Sequence, residues 1–221
     1  MILKVLEKRL ETNKYFSLIL EKSVNFSFYP GQYLDIRLPV NDKHGSTRTF
    51  TIASSPTEDF LMVTTKTGVS KFKKMMEKLK RRATVTTAHP AGTFTLDEST
   101  PAIFIAGGIG ITPFRSMIKY AVDKKLTFPI TLIYSNSDNN FLFKEVLDQW
   151  QNQLPNLKII YHNTRQQDHL NRTQLTTIVQ MYGNPIYYLA GPPGFVNSME
   201  EKLLQLEVDK TNIRTDRFDG Y

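Results

Sequence analysis

The spacing of apolar residues changes period near Pro101, and that change restricts the chain to few architectures. Before it, Leu34, Ile36 and Leu38 alternate with Tyr33, Asp35 and Arg37, the period of a strand with one buried face. Similar runs at 2–10, 15–20, 49–53, 60–65 and 83–87 give about the strand count of a small antiparallel barrel. One helical pattern interrupts them. Val69, Phe72, Met76 and Leu79 fall on one face with lysines on the other, as in a helix that closes one end of a barrel.

After Pro101 strands and helices alternate. Apolar runs at 102–106, 130–134, 157–161 and 186–190 are each followed by an amphipathic segment. Phe114, Met117, Ile118 and Ala121 share one helical face; Phe195, Met199, Leu203 and Leu206 share another. Short apolar strands joined by helices imply a parallel sheet covered on both sides. The stretch 212–218 suits an added edge strand. The expected fold is an N-terminal antiparallel β-barrel over residues 1–98 and a C-terminal α/β parallel-sheet domain over 99–221, with no long linker.

The chain has no cysteine, which excludes disulfides, thiolate zinc sites, a cysteine nucleophile and a cysteine-ligated iron–sulfur cluster within it. Redox chemistry here would need a bound cofactor. His44, His89, His162 and His169 show no metal-ligand spacing, and no serine sits in a nucleophile elbow. The N-terminus lacks the apolar core of a signal peptide, and no run approaches the roughly 20 apolar residues of a membrane span; a cytoplasmic location is expected. The net charge of +7 is uneven: residues 1–98 carry 16 Lys and Arg against 10 Asp and Glu. The surplus is densest at Lys71, Lys73, Lys74, Lys78, Lys80, Arg81 and Arg82. A solvated helix face accounts for it, as does a surface for an acidic partner. Nucleic acid is not expected, because interleaved aromatics and a groove-reading motif are missing.

Three segments carry the chemistry. The strand 103–106 runs into Gly107, Gly108, Ile109 and Gly110, with a helix expected to start at Thr112, its N-cap, and Pro113 in the first turn. Such a turn admits a dinucleotide close to the backbone, with its pyrophosphate at the helix start. An ordinary glycine-rich strand-to-helix turn would carry the same residues. The second segment, Ala190-Gly191-Pro192-Pro193-Gly194, is a stiff turn at the same sheet edge, where ligands of open α/β folds sit. In the third, alternation through Arg48, Thr49, Phe50 and Thr51 sets the cation and the ring on one face and the hydroxyls on the other. Taken alone, Arg48 is better explained by a surface salt bridge and Phe50 by core packing. Lys66, Thr67, Gly68, Val69 and Ser70 then lead into the basic helix, whose amino end suits an anion.

Arg48-Thr49-Phe50-Thr51 resembles the arginine-x-aromatic-serine/threonine flavin signature of the ferredoxin-NADP reductase superfamily. Gly68-Val69-Ser70 is similar to its second flavin-phosphate motif and Gly31-Gln32-Tyr33 to its barrel strand. Gly107 to Pro113 and Gly191 to Pro193 resemble its nicotinamide-nucleotide motifs. The resemblance covers nearly the whole chain in order, in a two-domain form without an iron–sulfur domain.

It implies a barrel that binds FAD in preference to FMN and a domain that binds NADH or NADPH, with the flavin ring at their interface. Arg48 would pair with the flavin phosphate, Phe50 would pack along the flavin, and Thr51 would offer its hydroxyl to the ring. Thr49, Thr64, Thr65, Lys66, Gly68, Val69 and Ser70 would complete the flavin contacts. Gly108, Gly110, Thr112, Pro113, Gly191, Pro192 and Pro193 would position the nicotinamide nucleotide, with Ser135 and Asn136 near its adenosine ribose. Many members place an aromatic from the chain end over the flavin, a role that Tyr221 suits and Phe218 shares; Asp216 would be the nearby acid, unless a salt bridge to Arg214 or Arg217 explains it. Ala190 departs from the cysteine usual before the Gly-Pro-Pro turn. The function implied is a monomeric or weakly associating reductase that passes electrons from NAD(P)H through FAD to a separate acceptor: an acidic ferredoxin-like protein, a haem protein, or a diffusible flavin or quinone. The alternative is a flavin-binding electron-transfer subunit without turnover of its own. The segment after Tyr134, Ser-Asn-Ser-Asp-Asn-Asn, has no arginine for a 2'-phosphate, which favours NADH, although Arg165 and Arg172 follow in the next connection.

Overall fold

A computed structural model describes residues 1–166, 170 and 172–218. The chain divides into two compact units, Met1–Leu96 with Arg115–Tyr120, and Asp97–Phe114 with Ala121–Tyr221.

In the first unit six strands form one sheet in the order β4-β3-β6-β1-β2-β5: β1 Ile2–Leu10, β2 Tyr15–Glu21, β3 Tyr33–Arg37, β4 Thr47–Thr51, β5 Phe60–Lys66 and β6 Thr84–Thr87. All named pairs are antiparallel. A bridge between Ile52 and Val63 and a hydrogen bond from Ala53 N–H to the Met62 carbonyl, 2.7 Å, join the two edges into a barrel. Its inward residues include Leu3, Val5, Leu18, Leu20, Leu34, Ile36, Phe50, Leu61 and Val63, the period-2 set that the alternation anticipates. Helix α1, Lys71–Lys78, adds Phe72 and Met76, both fully buried in the same core, and keeps Lys71, Lys74 and Lys78 exposed.

The second unit is a five-stranded parallel sheet in the order β11-β10-β7-β8-β9, with β7 Ala102–Gly107, β8 Ile130–Asn136, β9 Leu157–Asn163, β10 Ile186–Gly191 and β11 Ile213–Arg217. Residues of β7 and β10 are buried throughout, as strands covered on both faces must be. Helices α2 Ile111–Lys124, α3 Lys144–Gln153, α4 Arg172–Val179 and α5 Pro193–Leu204 connect the strands. The α2 face Phe114, Met117, Ile118 and Ala121 is fully buried, as its spacing predicts. In α5 the buried residues are Val196, Met199 and Leu203. Phe195 instead lies over Gly107. Strand order reverses between β7 and β10, the point where open α/β sheets bind ligands outside the strand ends. Among the described residues no helix is long and apolar enough to cross a membrane.

Candidate functional site

In the second unit the site grows from two strand ends that lie side by side. Ala106 pairs with Ala190, so the turns leaving β7 and β10 touch. A Cβ on Gly110 would lie 2.1 Å from the Ala190 carbonyl oxygen, and Gly191, at φ +150°, packs on the Gly107 backbone. These glycines are therefore required by the contact between turns. Gly108, at φ +54° with open space beside it, and Gly194, also open, are the ones that leave room for a ligand. Pro193 opens α5, where a missing N–H costs nothing. Ala190 is fully buried.

Helix α2 begins one residue earlier than the sequence suggests, after a 3-10 turn over Gly108–Gly110. Thr112 is not its N-cap. The hydroxyl donates back to the Ile109 carbonyl, 3.1 Å, and the residue is only 2% exposed, so it shapes the turn and offers nothing to a ligand. Beside these turns Ser135 pairs with Gly107 and Asn136 with Asn163. Asn136 Nδ2 donates to Asp138 Oδ1, 3.1 Å, and to the Asn140 carbonyl, which orders the loop leaving β8. Arg165 is exposed just past β9; the side chain of Arg172 lies outside the description.

On the other side of β10, Asp216 pairs in register with Ala190, and Phe218 N–H donates to the Gly191 carbonyl, 2.9 Å. Both arginines named as salt-bridge candidates for Asp216 are engaged elsewhere. Arg214 bonds Asp97 Oδ2 and Tyr188 Oη, and Arg217 bonds Asn197, Thr215 and Glu200. Burial without a counter-charge pushes the Asp216 carboxyl up to about 6. Tyr221 lies outside the described residues.

The barrel holds a different kind of site. Arg48 and Phe50 share a face, as expected: the Phe50 ring stacks on Phe72 at 6.1 Å and the Arg48 guanidinium sits over the same ring at 5.1 Å. Phe50, however, is 3% exposed and part of the core, so it cannot pack along a flavin without leaving that core. Thr64 and Thr65 also point away from any ligand. Thr64 Oγ1 bonds Ser17 Oγ at 2.7 Å and Thr65 is fully buried, because β5 pairs along its whole length with β2. Thr49 donates to Asp35 Oδ1, 2.5 Å; Thr51 is partly exposed, Lys66 exposed, and Val69 90% exposed.

The anion-binding part is at the start of α1. Ser70 is its N-cap, its oxygen accepting from Lys73 N–H, 3.2 Å. Gly68 N–H donates to Glu77 Oε1, 3.2 Å, and the Lys73 stem crosses over Gly68. Burial lowers the Lys73 ammonium pKa, and the charges of Lys66 and Arg48 lower it further: three cations share this corner. Glu77 faces Lys73, and the group that answers Arg48 is one that no sequence pattern marks. Asp42 Oδ1 receives Arg48 at 2.6 Å and Oδ2 receives Phe72 N–H at 3.1 Å. Donors from the His44 and Phe72 N–H groups, then Arg48, hold this carboxyl below its usual range. A lone Asp in a polar loop gives no signal beyond its turn residues. Arg115 was missed too. It forks onto Glu58 at 3.0 and 3.1 Å and donates to the Ala53 carbonyl at 2.7 Å, tying the 53–58 loop of the barrel unit; a charge set among Phe114, Met117 and Ile118 on an apolar helix face was the available clue.

Both regions fit phosphorylated cofactors. The α1 corner brings a guanidinium and a helix N–H to one oxyanion, with Lys66 and Lys73 adding charge close by, a donor set that serves a phosphate as it serves a carboxylate. The paired turns offer backbone and open space at a topological switch point. A barrel with an anion corner, followed by a sheet with a nucleotide turn, can hold one phosphorylated cofactor on each unit.

Residues 104–201 match the oxidoreductase NAD-binding domain. Ferredoxin-NADP+ reductase from Plasmodium falciparum superposes with a TM-score of 0.82 over 98% of this chain and 95% of that one, at 20% identity. The flavohem-like FAD/NAD binding domain of nitric oxide dioxygenase from Vibrio cholerae gives 0.78 over 98% of both chains, at 18% identity. Among curated proteins, the 2-halobenzoate 1,2-dioxygenase electron transfer component of Burkholderia cepacia is 27% identical over 92% of this chain and 62% of its own length. Flavohemoprotein A of Dictyostelium discoideum is 22% identical over 87% and 53%. Residues 104–201 thus carry an oxidoreductase NAD-binding domain, and the chain has the fold of the ferredoxin-NADP+ reductase and flavohem-like FAD/NAD binding structures. It spans about half to three-fifths of the length of these two curated relatives.

Proposed function

We propose that this chain is an NAD(P)H-dependent flavoprotein reductase, with FAD on the barrel of residues 1–98 and NADH or NADPH on residues 99–221. The observation that carries the reading is the pair of glycine turns meeting at the β7/β10 switch point, within the segment that matches the NAD-binding domain. When bound, the flavin supplies the redox chemistry, taking a hydride from the nicotinamide and releasing electrons onward. The residues of this chain bind and orient. Arg48, Lys66, Lys73 and the α1 N-terminus would hold the flavin phosphates, and Thr51 lies partly exposed on the same strand as Arg48. Gly108 and Pro193 border the space for the dinucleotide, with Ser135 and Asn136 at the neighbouring strand end. Asp216 holds a proton to higher pH than an ordinary carboxylate, which suits it to proton exchange near the turn of β10.

The electron acceptor is a separate group, and the exposed Lys71, Lys74, Lys78, Lys80, Arg81 and Arg82 favour an acidic ferredoxin-like protein steered by charge. The relatives named as electron transfer components support this reading. A cytoplasmic monomer is part of the same proposal. Anaerobic stopped-flow mixing of the FAD-loaded protein with NADH, and separately with NADPH, tests it through flavin absorbance. Rapid bleaching, faster with NADH, is the expected result. Flavin that binds but does not bleach with either nicotinamide would favour a subunit without turnover of its own.

A further inference from the structure

Between Leu38 and Phe50 a single residue, Asp42, is buried; its side chain is 3% exposed while Asn41, Lys43, His44 and Gly45 around it are exposed. Apart from Val40, which packs against the barrel core, the loop turns only this carboxylate inward, onto charged and N–H donors. It lies at the start of α1, with one oxygen on the Arg48 guanidinium and the other on Phe72 N–H. These are the donors that the flavin-binding reading assigns to a phosphate, and the inference rests on that reading. Lys66 and Lys73 bring the local charge to three cations, against Asp42 and Glu77; the positive charge left over is one that a doubly charged phosphate group in place of Asp42 would answer. Arg48 also donates to the His44, Gly45 and Thr47 carbonyls, so the guanidinium keeps loop partners when the carboxylate leaves it.

We propose that Asp42 is an internal stand-in for the flavin phosphate: its carboxylate keeps Arg48 and the α1 N-terminus in place, and it must leave that position for a phosphorylated flavin to enter. Two consequences follow from electrostatics. A phosphate cannot share the Arg48 and Phe72 donors with a second anion in contact without strong like-charge repulsion. A flavin without phosphate does not compete with Asp42 at all. Asp42 thus grades affinity by phosphate content, weakening FMN and FAD while leaving riboflavin alone.

Equilibrium titration of the full chain and of Asp42→Asn with riboflavin, FMN and FAD, followed by flavin fluorescence, tests this. The amide keeps the shape of the loop and removes the charge. The variant is expected to bind FMN and FAD tighter by on the order of tenfold and riboflavin within about twofold. Unchanged or weaker FAD binding, with riboflavin unaffected, would overturn the proposal and make Asp42 a structural cap. If neither protein binds any flavin, the flavin-binding reading fails and takes the proposal with it. A second readout needs no variant. His44 N–H donates to Asp42 Oδ1 at 3.2 Å, so FAD should raise amide hydrogen exchange at His44, whereas riboflavin should not. Equal protection of His44 with and without FAD would contradict displacement.

Discussion

The two regions proposed to hold cofactors are built from different materials. At the start of α1 the barrel assembles charged side chains, Arg48, Lys66 and Lys73, around a carboxylate of its own. At the switch point the α/β unit uses almost no charge, only glycine backbones pressed together at the ends of β7 and β10. A charge-built site can be tuned or filled by one side chain, because electrostatic attraction tolerates small displacements. A site built by backbone contact has no such latitude, since a single added methyl meets the neighbouring chain.

The barrel's reliance on charge is broken most severely at Arg115. Its fork onto Glu58 is nearly dry, with side-chain exposures of 6% and 11%. Removing one partner of such a pair costs about 3–5 kcal/mol, so Arg115→Ala should show a loss of that order in urea unfolding, and a loss under about 1 kcal/mol would show that the pair is not needed. Gly110→Ala probes the other material. A Cβ 2.1 Å from a carbonyl oxygen forces the turns apart, at about 1–3 kcal/mol, and should abolish nicotinamide bleaching of the flavin while FAD titrates normally. Gly183→Ala, just before the other end of β10 and with nothing within 4 Å, is the matched control and should leave both unchanged.

Asp216 sharpens the comparison because its charge sits alone beside the uncharged turns. Burial raises its carboxyl from the ordinary 3.8 to about 6 in the folded chain, so the native state binds more protons between about pH 4 and 6. Stability from this group is therefore greatest below that window and falls as pH rises through it. Chemical denaturation across pH should show this slope in the wild type and lose it in Asp216→Asn; identical profiles would place the carboxyl in water. The smallest effect belongs to the cap of α1. Ser70→Ala removes one N-cap bond and should lower the thermal midpoint by the equivalent of about 1 kcal/mol.

The same contrast explains what could be read from the sequence. Strand and helix positions were legible because period-2 and period-3.6 patterns follow directly from burial: Leu34 and Ile36 in β3, and Phe114 and Met117 in α2, lie where their spacing puts them. Faces were legible too, since Arg48 and Phe50 do share one. Alternation does not say which face is the core, and so Phe50, Thr64 and Thr65 were assigned to a ligand although they point inward or pair with a neighbouring strand. Thr112 has the residue type of a cap and the position of a buried turn hydroxyl. Asp42 and Arg115 were missed because their partners, Phe72, Arg48 and Glu58, are 30, 6 and 57 residues away, and the distant pairs only meet once the barrel has formed.

Titrating Arg48→Ala with FAD and with NADH tests most directly whether the two regions serve two cofactors through separate physics. Loss of FAD affinity by on the order of tenfold or more, with NADH affinity unchanged, is the expected result; FAD affinity equal to that of the wild type would contradict it.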